Sequence, residues 1–292
     1  MEPSMKNLLT DEERYAKAFH AFIDNSTEHE CMLEFIAKML PDIVQSFGDG
    51  KSTINILGVG SGSGEIDLQM ISQIKAQYPK VLINSEVIEP NKEQVHKFKD
   101  LVTNMPDLKN ISFTWHEKTS SDYENDLNEK NESKIFDFIH LIQMLYYVDD
   151  IPATLKYFIS CLAPNGRLLI ILVSGKSGWA PLWKAYGNRF RVNNLCLYVT
   201  SSDIKDLLDE ARAKYTYYDL PSEMDITECF VEGSETGLLL LDFLTEILNF
   251  SETAPLEIKA DVMEMLKQSE CSEQKDGKTI FNNTLGVFIV EP

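Results

Sequence analysis

The sequence predicts an α/β fold, a largely parallel sheet with helices on both faces, together with a smaller, mainly helical cap. Three observations carry this. Strongly apolar runs such as "RLLIILVS" alternate with amphipathic helical segments, the pattern of a parallel sheet covered on both sides. One such run breaks into a glycine-rich turn, "NILGVGSGSGEIDL" at 55–68, that opens a helix. After Gly175 the alternation weakens, and about a hundred residues intervene before the last strand, far more than a crossover requires.

The elements follow in order. "TDEERYAKAFHAFI" reads as a helix opened by a capping box, Thr10–Glu13, and "STEHECMLEFIAKMLPDIVQSFG" as a second opened by Thr27–Glu30 and ending near Gly48. Strand "TINILGVG" leads into helix "GEIDLQMISQIKAQY", strand "VLINSEVIEP" into helix "KEQVHKFKDLVTN", and strand "ISFTWHE" follows. "FDFIHLIQMLYYV" is a strand running into a turn, "DIPATLKYFISCLA" a helix, "PNG" a turn and "RLLIILVS" a strand. Beyond it only "KYTYYDLP" and "TIFNNTLGVFIVE" read as strands. The expected organisation is N-terminal cap helices at 1–48, the sheet core at 49–175, a cap with one sheet strand near 214–221 at 176–275, and a closing edge strand at 276–292.

Composition narrows the function classes. The 292 residues are 43% hydrophobic and 25% charged, ordinary for a soluble globular chain. Forty-six acids against 27 bases leave a net charge of −19, which disfavours nucleic acid and anionic membrane and favours cationic small molecules. No signal peptide or spanning segment is read. Five scattered cysteines (31, 161, 196, 229, 271) without a C-x-x-C pair indicate reduced thiols in the cytoplasm. The five histidines show no metal-ligand spacing, so no metal is expected.

The glycine loop excludes some ligands. A P-loop needs a lysine that is absent here. A dinucleotide turn needs a final glycine, but the sixth position from Gly58 is Ser63 and from Gly60 is Glu65. The chain has instead Gly60, Gly62 and Gly64 in G-x-G-x-G spacing, and Glu89 at the end of the next strand, where a carboxylate can accept both hydroxyls of a ribose.

"ILGVGSGSGE", Glu89 and "LAPNGRLLIILVS" resemble the class I S-adenosylmethionine-dependent methyltransferases. "NSTEHEC", "FIHLIQMLYYVDDIPATLK", "SGWAPLWKAYG", "MDITECF" and "FNNTL" are similar to the branch of that family that methylates the imidazole of histamine, with near relatives acting on carnosine. The resemblance implies a seven-stranded Rossmann-like sheet, S-adenosylmethionine as cofactor with S-adenosylhomocysteine as product, a cationic imidazole substrate, and a monomer. It places Gly60 and Gly62 against the methionine part, Glu89 on the ribose, Gln94 on the adenine side of the ribose, and Ser120 at the adenine edge, with Asp122 a rival there; Ile142 packs on the adenine or sets its backbone beside the cofactor.

Three polar residues carry over for the substrate and the chemistry. Glu28 falls in the first turn of a helix, where a carboxylate is favoured in any case. Gln143 interrupts an apolar strand at its carboxyl end, the edge at which open α/β sheets bind ligands. Asn283 is read within the closing strand, against the propensity of asparagine. Together they are expected to hold the imidazole and the ammonium, with Glu28 removing the ring proton. Tyr15, Phe19, Tyr146, Tyr147, Trp179, Trp183, Phe190, Cys196 and Phe243 are expected as pocket walls, the aromatics offering cation–π faces. Two other readings stand beside this one: a cofactor-binding protein without catalysis, and a nicotinamide dehydrogenase, which lacks its final glycine.

Overall fold

The computed structural model describes the chain except residues 1–4, 46, 48–49, 106–107, 109–110 and 191–195. Its helices are α1 (Glu12–Asn25), α2 (Glu28–Ile43), α3 (Glu65–Gln77), α4 (Lys92–Asn104), α5 (Ser120–Lys130), α6 (Ile151–Ser160), α7 (Trp179–Phe190), α8 (Ser201–Glu210), α9 (Glu235–Thr245), α10 (Phe250–Thr253) and α11 (Leu256–Met265). The strands are β1 (Thr53–Val59), β2 (Leu82–Ile88), β3 (Ile111–His116), β4 (Phe136–Ile142), β5 (Leu162–Val173), β6 (Tyr215–Leu220), β7 (Glu223–Asp225), β8 (Ser272–Lys275), β9 (Lys278–Asn282) and β10 (Leu285–Val290). The chain forms two compact units. A core unit comprises Met32–Leu172, Ile204–Tyr218 and Val287–Pro292, and a cap unit Met1–Cys31, Val173–Asp203 and Asp219–Gly286. The boundary expected at 48–49, with the helix end near Gly48, lies outside the described residues, and the units divide the chain at Cys31.

The core unit is built on a seven-stranded sheet of order β3-β2-β1-β4-β5-β10-β6. β1 pairs in parallel with β2 and β4, β2 with β3, and β4 with β5. The reason lies in the side chains: every residue of β4 except the last is buried, as a central strand flanked by helices requires. The closing strand is not the edge expected from the sequence. All six residues of β10 are buried, whereas β6 has only partly buried and exposed positions, and β6 takes the outer place. The "PNG" turn is also absorbed into β5, as an irregularity in register where Phe136 faces Leu162 but Phe138 faces Arg167.

The cap unit, expected to be mainly helical, also carries a small sheet of its own. It holds a three-stranded antiparallel sheet, β7-β9-β8. β8 and β9 form a hairpin through Asp276 (φ 53°) and Gly277 (φ 78°), the Asp-Gly turn with two positive φ values that matches strand twist. "TIFNNTLGVFIVE" is consequently two strands in two sheets, with Asn283 in the link between them.

Both capping boxes are replaced. α1 is capped by Asp11, whose Oδ1 accepts the Arg14 N–H at 3.0 Å, while the Thr10 hydroxyl donates to Asn7 O. The Thr27 hydroxyl accepts the Glu223 N–H at 2.9 Å, tying the start of α2 to β7.

Within the core unit Glu86 on β2 gathers three donors. His116 Nε2 and Lys134 Nζ lie at 2.7 Å and the Tyr123 hydroxyl at 3.1 Å. Burial opposes ionisation of Glu86, but the hydrogen bonds from His116 and Lys134 and the Lys134 charge outweigh it and hold the carboxyl at about 2. A depressed acid contributes stability above its unfolded value, lost as pH falls through the folded one. Glu86→Gln is therefore expected to destabilise by about 1–2 kcal/mol at neutral pH, after allowing for solvent screening. Urea titrations should show the gap to the wild type closing between about pH 4.5 and pH 2; a gap independent of pH would refute the assignment.

Candidate active site

The cofactor-side residues belong to the core unit. At the end of β1 the chain enters the glycine loop with Gly60 at φ 69° and Gly62 at φ 55°. A side chain on Gly60 would strike Met144 Cβ at 2.6 Å, so the backbone passes where no Cβ fits. Over Gly62, by contrast, a Cβ would meet nothing within 4 Å, which leaves room for a ligand against the turn. Glu89 closes this loop. Its Oε2 accepts the Gly62 N–H and its Oε1 the Asn91 N–H, each at 2.9 Å. Burial raises the carboxyl and these two bonds partly offset the rise. Each oxygen keeps a lone pair, so the geometry still suits a diol.

The other expected contacts also belong to the core unit. Gln94 is in the first turn of α4, its N–H capped by Asn91 Oδ1 at 3.2 Å, and Ser120 is the first residue of α5. Asp122 is exposed and accepts the Thr119 hydroxyl at 2.7 Å, which makes it part of that helix cap. Ile142 ends β4, and Gln143 follows it with φ 52°. A left-handed glutamine costs about 1–2 kcal/mol. It is held by its N–H on Ile171 O at 2.8 Å and by the Tyr146 hydroxyl, which donates to its Oε1 at 2.7 Å. Tyr146 is buried and Tyr147 exposed.

Glu28, Asn283 and Trp179 meet in the cap unit. Asn283 is fully buried and Glu28 nearly so. Asn283 Nδ2 donates to Glu28 Oε2 at 2.9 Å and to Ser222 Oγ at 3.1 Å, and Trp179 Nε1 donates to Asn283 Oδ1 at 2.7 Å. The asparagine thus belongs to a link between strands, where its propensity carries no penalty.

The aromatic wall forms a chain of ring contacts in the same unit. Tyr15 stacks at 6.2 Å on Phe19, Phe19 lies 6.2 Å from Phe243, and Trp179 sits 6.1 Å from Phe243 and 5.1 Å from Trp183. Phe190 packs against Tyr198 and Phe250 without exposed surface. Burial pushes the Cys196 thiol well up, which suits a wall residue and not a nucleophile. Sequence reasoning passed over Phe22, Tyr198, Ser222 and Phe281. Phe22 stacks on Phe243 at 4.5 Å, Tyr198 lies 5.4 Å from Trp183, and Phe281 lies 5.4 Å from Trp179. The helical spacing of Phe22 with Phe19 was the one signal available.

The sheet order and the glycine loop define a Rossmann-like methyltransferase, and residues 32–216 match the methyltransferase domain family. The crystal structure of a cyclopropane-fatty-acyl-phospholipid synthase-like protein from Lactobacillus casei shares the fold, with a TM-score of 0.54 at 13% identity over 96% of this chain and 100% of that one. The histamine N-methyltransferase of Bos taurus is 54% identical over 291 residues, covering 100% of both chains. Carnosine N-methyltransferase 2 of Gallus gallus is 51% identical over 99% of this chain and 89% of its own length. The chain belongs to the histamine N-methyltransferase family.

Glu89→Ala removes the acceptor of the Gly62 and Asn91 N–H groups. It should weaken S-adenosylhomocysteine binding by about ten- to a hundredfold, the worth of one or two hydrogen bonds to a charged group. Calorimetry reads this directly, and normal binding by the variant would place the ribose elsewhere.

Proposed function

We propose that this chain transfers the methyl group of S-adenosylmethionine to a ring nitrogen of histamine, leaving S-adenosylhomocysteine. The buried Glu28–Asn283 pair carries the reading, set in a family whose Bos taurus member is 54% identical from end to end. The glycine loop with open space over Gly62, and Glu89 with lone pairs to spare, fit an amino acid joined to a nucleoside.

When bound, the cofactor supplies a sulfonium-activated methyl for an in-line displacement. An imidazole near neutral pH already carries a lone pair, its free value being about 6.5. The protein's work is therefore to orient the ring and to take away a proton afterwards. Asn283, locked by Trp179, holds Glu28 in one rotamer, and Glu28 accepts the proton lost from the methylated ring. Gln143, its Oε1 fixed by the Tyr146 hydroxyl, offers an amide to the ring or to the ammonium.

Carnosine is the second reading, favoured by the 51% identity to the Gallus gallus enzyme. Its carboxylate calls for a cation, which Lys176, Lys184 or Arg189 could supply; Lys176 is engaged by Asp219 at 2.6 Å and Arg189 by Asp261 at 3.7 Å, while Lys184 is exposed. The protein is further proposed to act as a monomer in the cytoplasm, in keeping with five cysteines outside any disulfide.

The test is competition: purified protein, isotopically labelled cofactor, equimolar histamine and carnosine, and mass spectrometry of the products. Methylhistamine should dominate. Methylcarnosine in excess reverses the preference, and cofactor binding without transfer to either amine would point to a protein that has lost catalysis. Asn283→Ala should raise the KM for histamine about tenfold, the loss of one charge-assisted hydrogen bond, with cofactor affinity unchanged; a KM equal to wild type would remove Asn283 from the substrate site.

A further inference from the structure

We infer that Glu246 anchors a second ammonium subsite in the cap unit, so that diamines and extended imidazole amines bind with one cationic nitrogen against its carboxylate. The inference rests on the amine-binding reading above.

Glu246 follows α9 with φ 55°, a left-handed conformation uncommon for glutamate. Its backbone is fixed, since the carbonyl accepts the Leu8 N–H at 2.9 Å. Its side chain is not answered in this way. The residue is 5% exposed, and its Oε2 is buried with no hydrogen-bond partner. Native proteins satisfy nearly all buried polar atoms, and an orphan carboxylate oxygen calls for a missing partner. Asp242, one turn earlier on α9, shows the contrast: it has the Arg14 guanidinium at 2.7 Å and the N–H groups of Asn249 and Phe250.

The surroundings select the ligand. Cys196 and Tyr198 lie within electrostatic reach of Glu246, and both are pushed up, by burial above all and by Glu246 in addition. They stay neutral at physiological pH and supply no countercharge. The Tyr198 hydroxyl donates to Thr245 O at 3.3 Å, and its ring lies 5.4 Å from Trp183, which lies 5.1 Å from Trp179. The chain of rings thus runs from Trp179, bonded to Asn283, to Tyr198, whose hydroxyl is held by the residue before Glu246 and whose ionisation Glu246 opposes. One carboxylate near an aromatic side chain suits an ammonium. A metal would need further ligands, and among the described residues no group of three His, Cys, Asp or Glu side chains is placed to hold one.

Burial alone raises the Glu246 carboxyl to about 8, so near neutral pH it is mostly the neutral acid. An arriving ammonium favours the carboxylate, and the acid's proton passes to solvent while the ammonium keeps its own. Binding should consequently release protons.

The experiment is calorimetry on the full chain with hexylamine and with diaminoalkanes from tetramethylene to octamethylene, at neutral pH in buffers of different ionisation enthalpy. The wild type should bind one of the diamines about tenfold more tightly than hexylamine, with proton release. In Glu246→Gln that ratio should fall to about one and proton release should vanish, which a merely structural role would not produce. Equal affinities or no proton release in the wild type overturn the inference even if the variant fails to fold, and a ratio kept in the variant does so too. Methyl transfer to histamine is assayed separately. Transfer without the diamine preference sinks the subsite alone, and the preference without transfer sinks only the assigned reaction.

Discussion

The amide of Asn283 can face only one way, and much of the cap unit follows from that. An indole N–H only donates, so the oxygen must face Trp179, and both amide hydrogens turn to Glu28 and Ser222. The Asn283 N–H also donates to Ser222 O at 2.9 Å. One buried side chain thereby joins the starts of α2 and α7, the residue before β7 and the link from β9 to β10. The flanking backbone repeats the clasp, with Gly178 N–H on Asn282 O at 2.8 Å and Ser174 N–H on Thr284 O at 2.9 Å. Gly178 is required there, because a Cβ would meet Cys271 O at 2.6 Å and the Phe281 ring at 2.7 Å. In a low-dielectric interior such a network is worth most when complete, since cutting one bond strands its partners at about 1–3 kcal/mol each.

The core unit applies the same logic through packing. A Cβ on Gly64 would fall 2.2 Å from the Phe98 ring, so that ring lies directly on the glycine turn. Phe98 in turn packs with Leu68 and Val87 and meets Phe113 and Trp115 edge-on. The glycine loop is thus held from below by apolar side chains of α3, α4, β2 and β3, while Glu89 fixes it from the side. A loop that has to meet a ligand with its backbone needs such support, because it has few side chains of its own to pack.

The parallel sheet was legible because its central strands are apolar throughout and its helices are amphipathic. The Asp276–Gly277 turn went unread although its residues signal one: "TIFN" was taken as the start of a single closing strand, and its partner "SEQK" is too polar and short to stand out. The capping boxes misled because Thr27 has two possible uses for its hydroxyl, and tertiary structure chose Glu223. Asn283 was singled out for a reason the structure replaces: it breaks a strand instead of occupying one. Gln143 was found by its polarity in an apolar run, yet nothing in the sequence revealed its positive φ. Glu246 was invisible, since an acid after an amphipathic helix normally points to water.

Buried acids in this chain fall into two kinds, and the difference bears on function more than the overall charge does. Asp137 is met by Lys51 and by the Asn55 N–H, Asp67 by Ser61 and His140, Asp242 by Arg14, and Glu89 by two backbone N–H groups. In each the protein compensates its own acid, and removing either partner alone would leave an uncompensated group that is strongly destabilising. Glu246 has no such compensation for Oε2, although Asp242, one turn earlier on α9, shows that the local backbone can provide it. Folding has tolerated a neutral acid there, which is the less costly state for an isolated buried carboxyl. An ammonium set against Oε2 would supply the partner that the protein's own groups do not, and this is what separates Glu246 from the compensated acids.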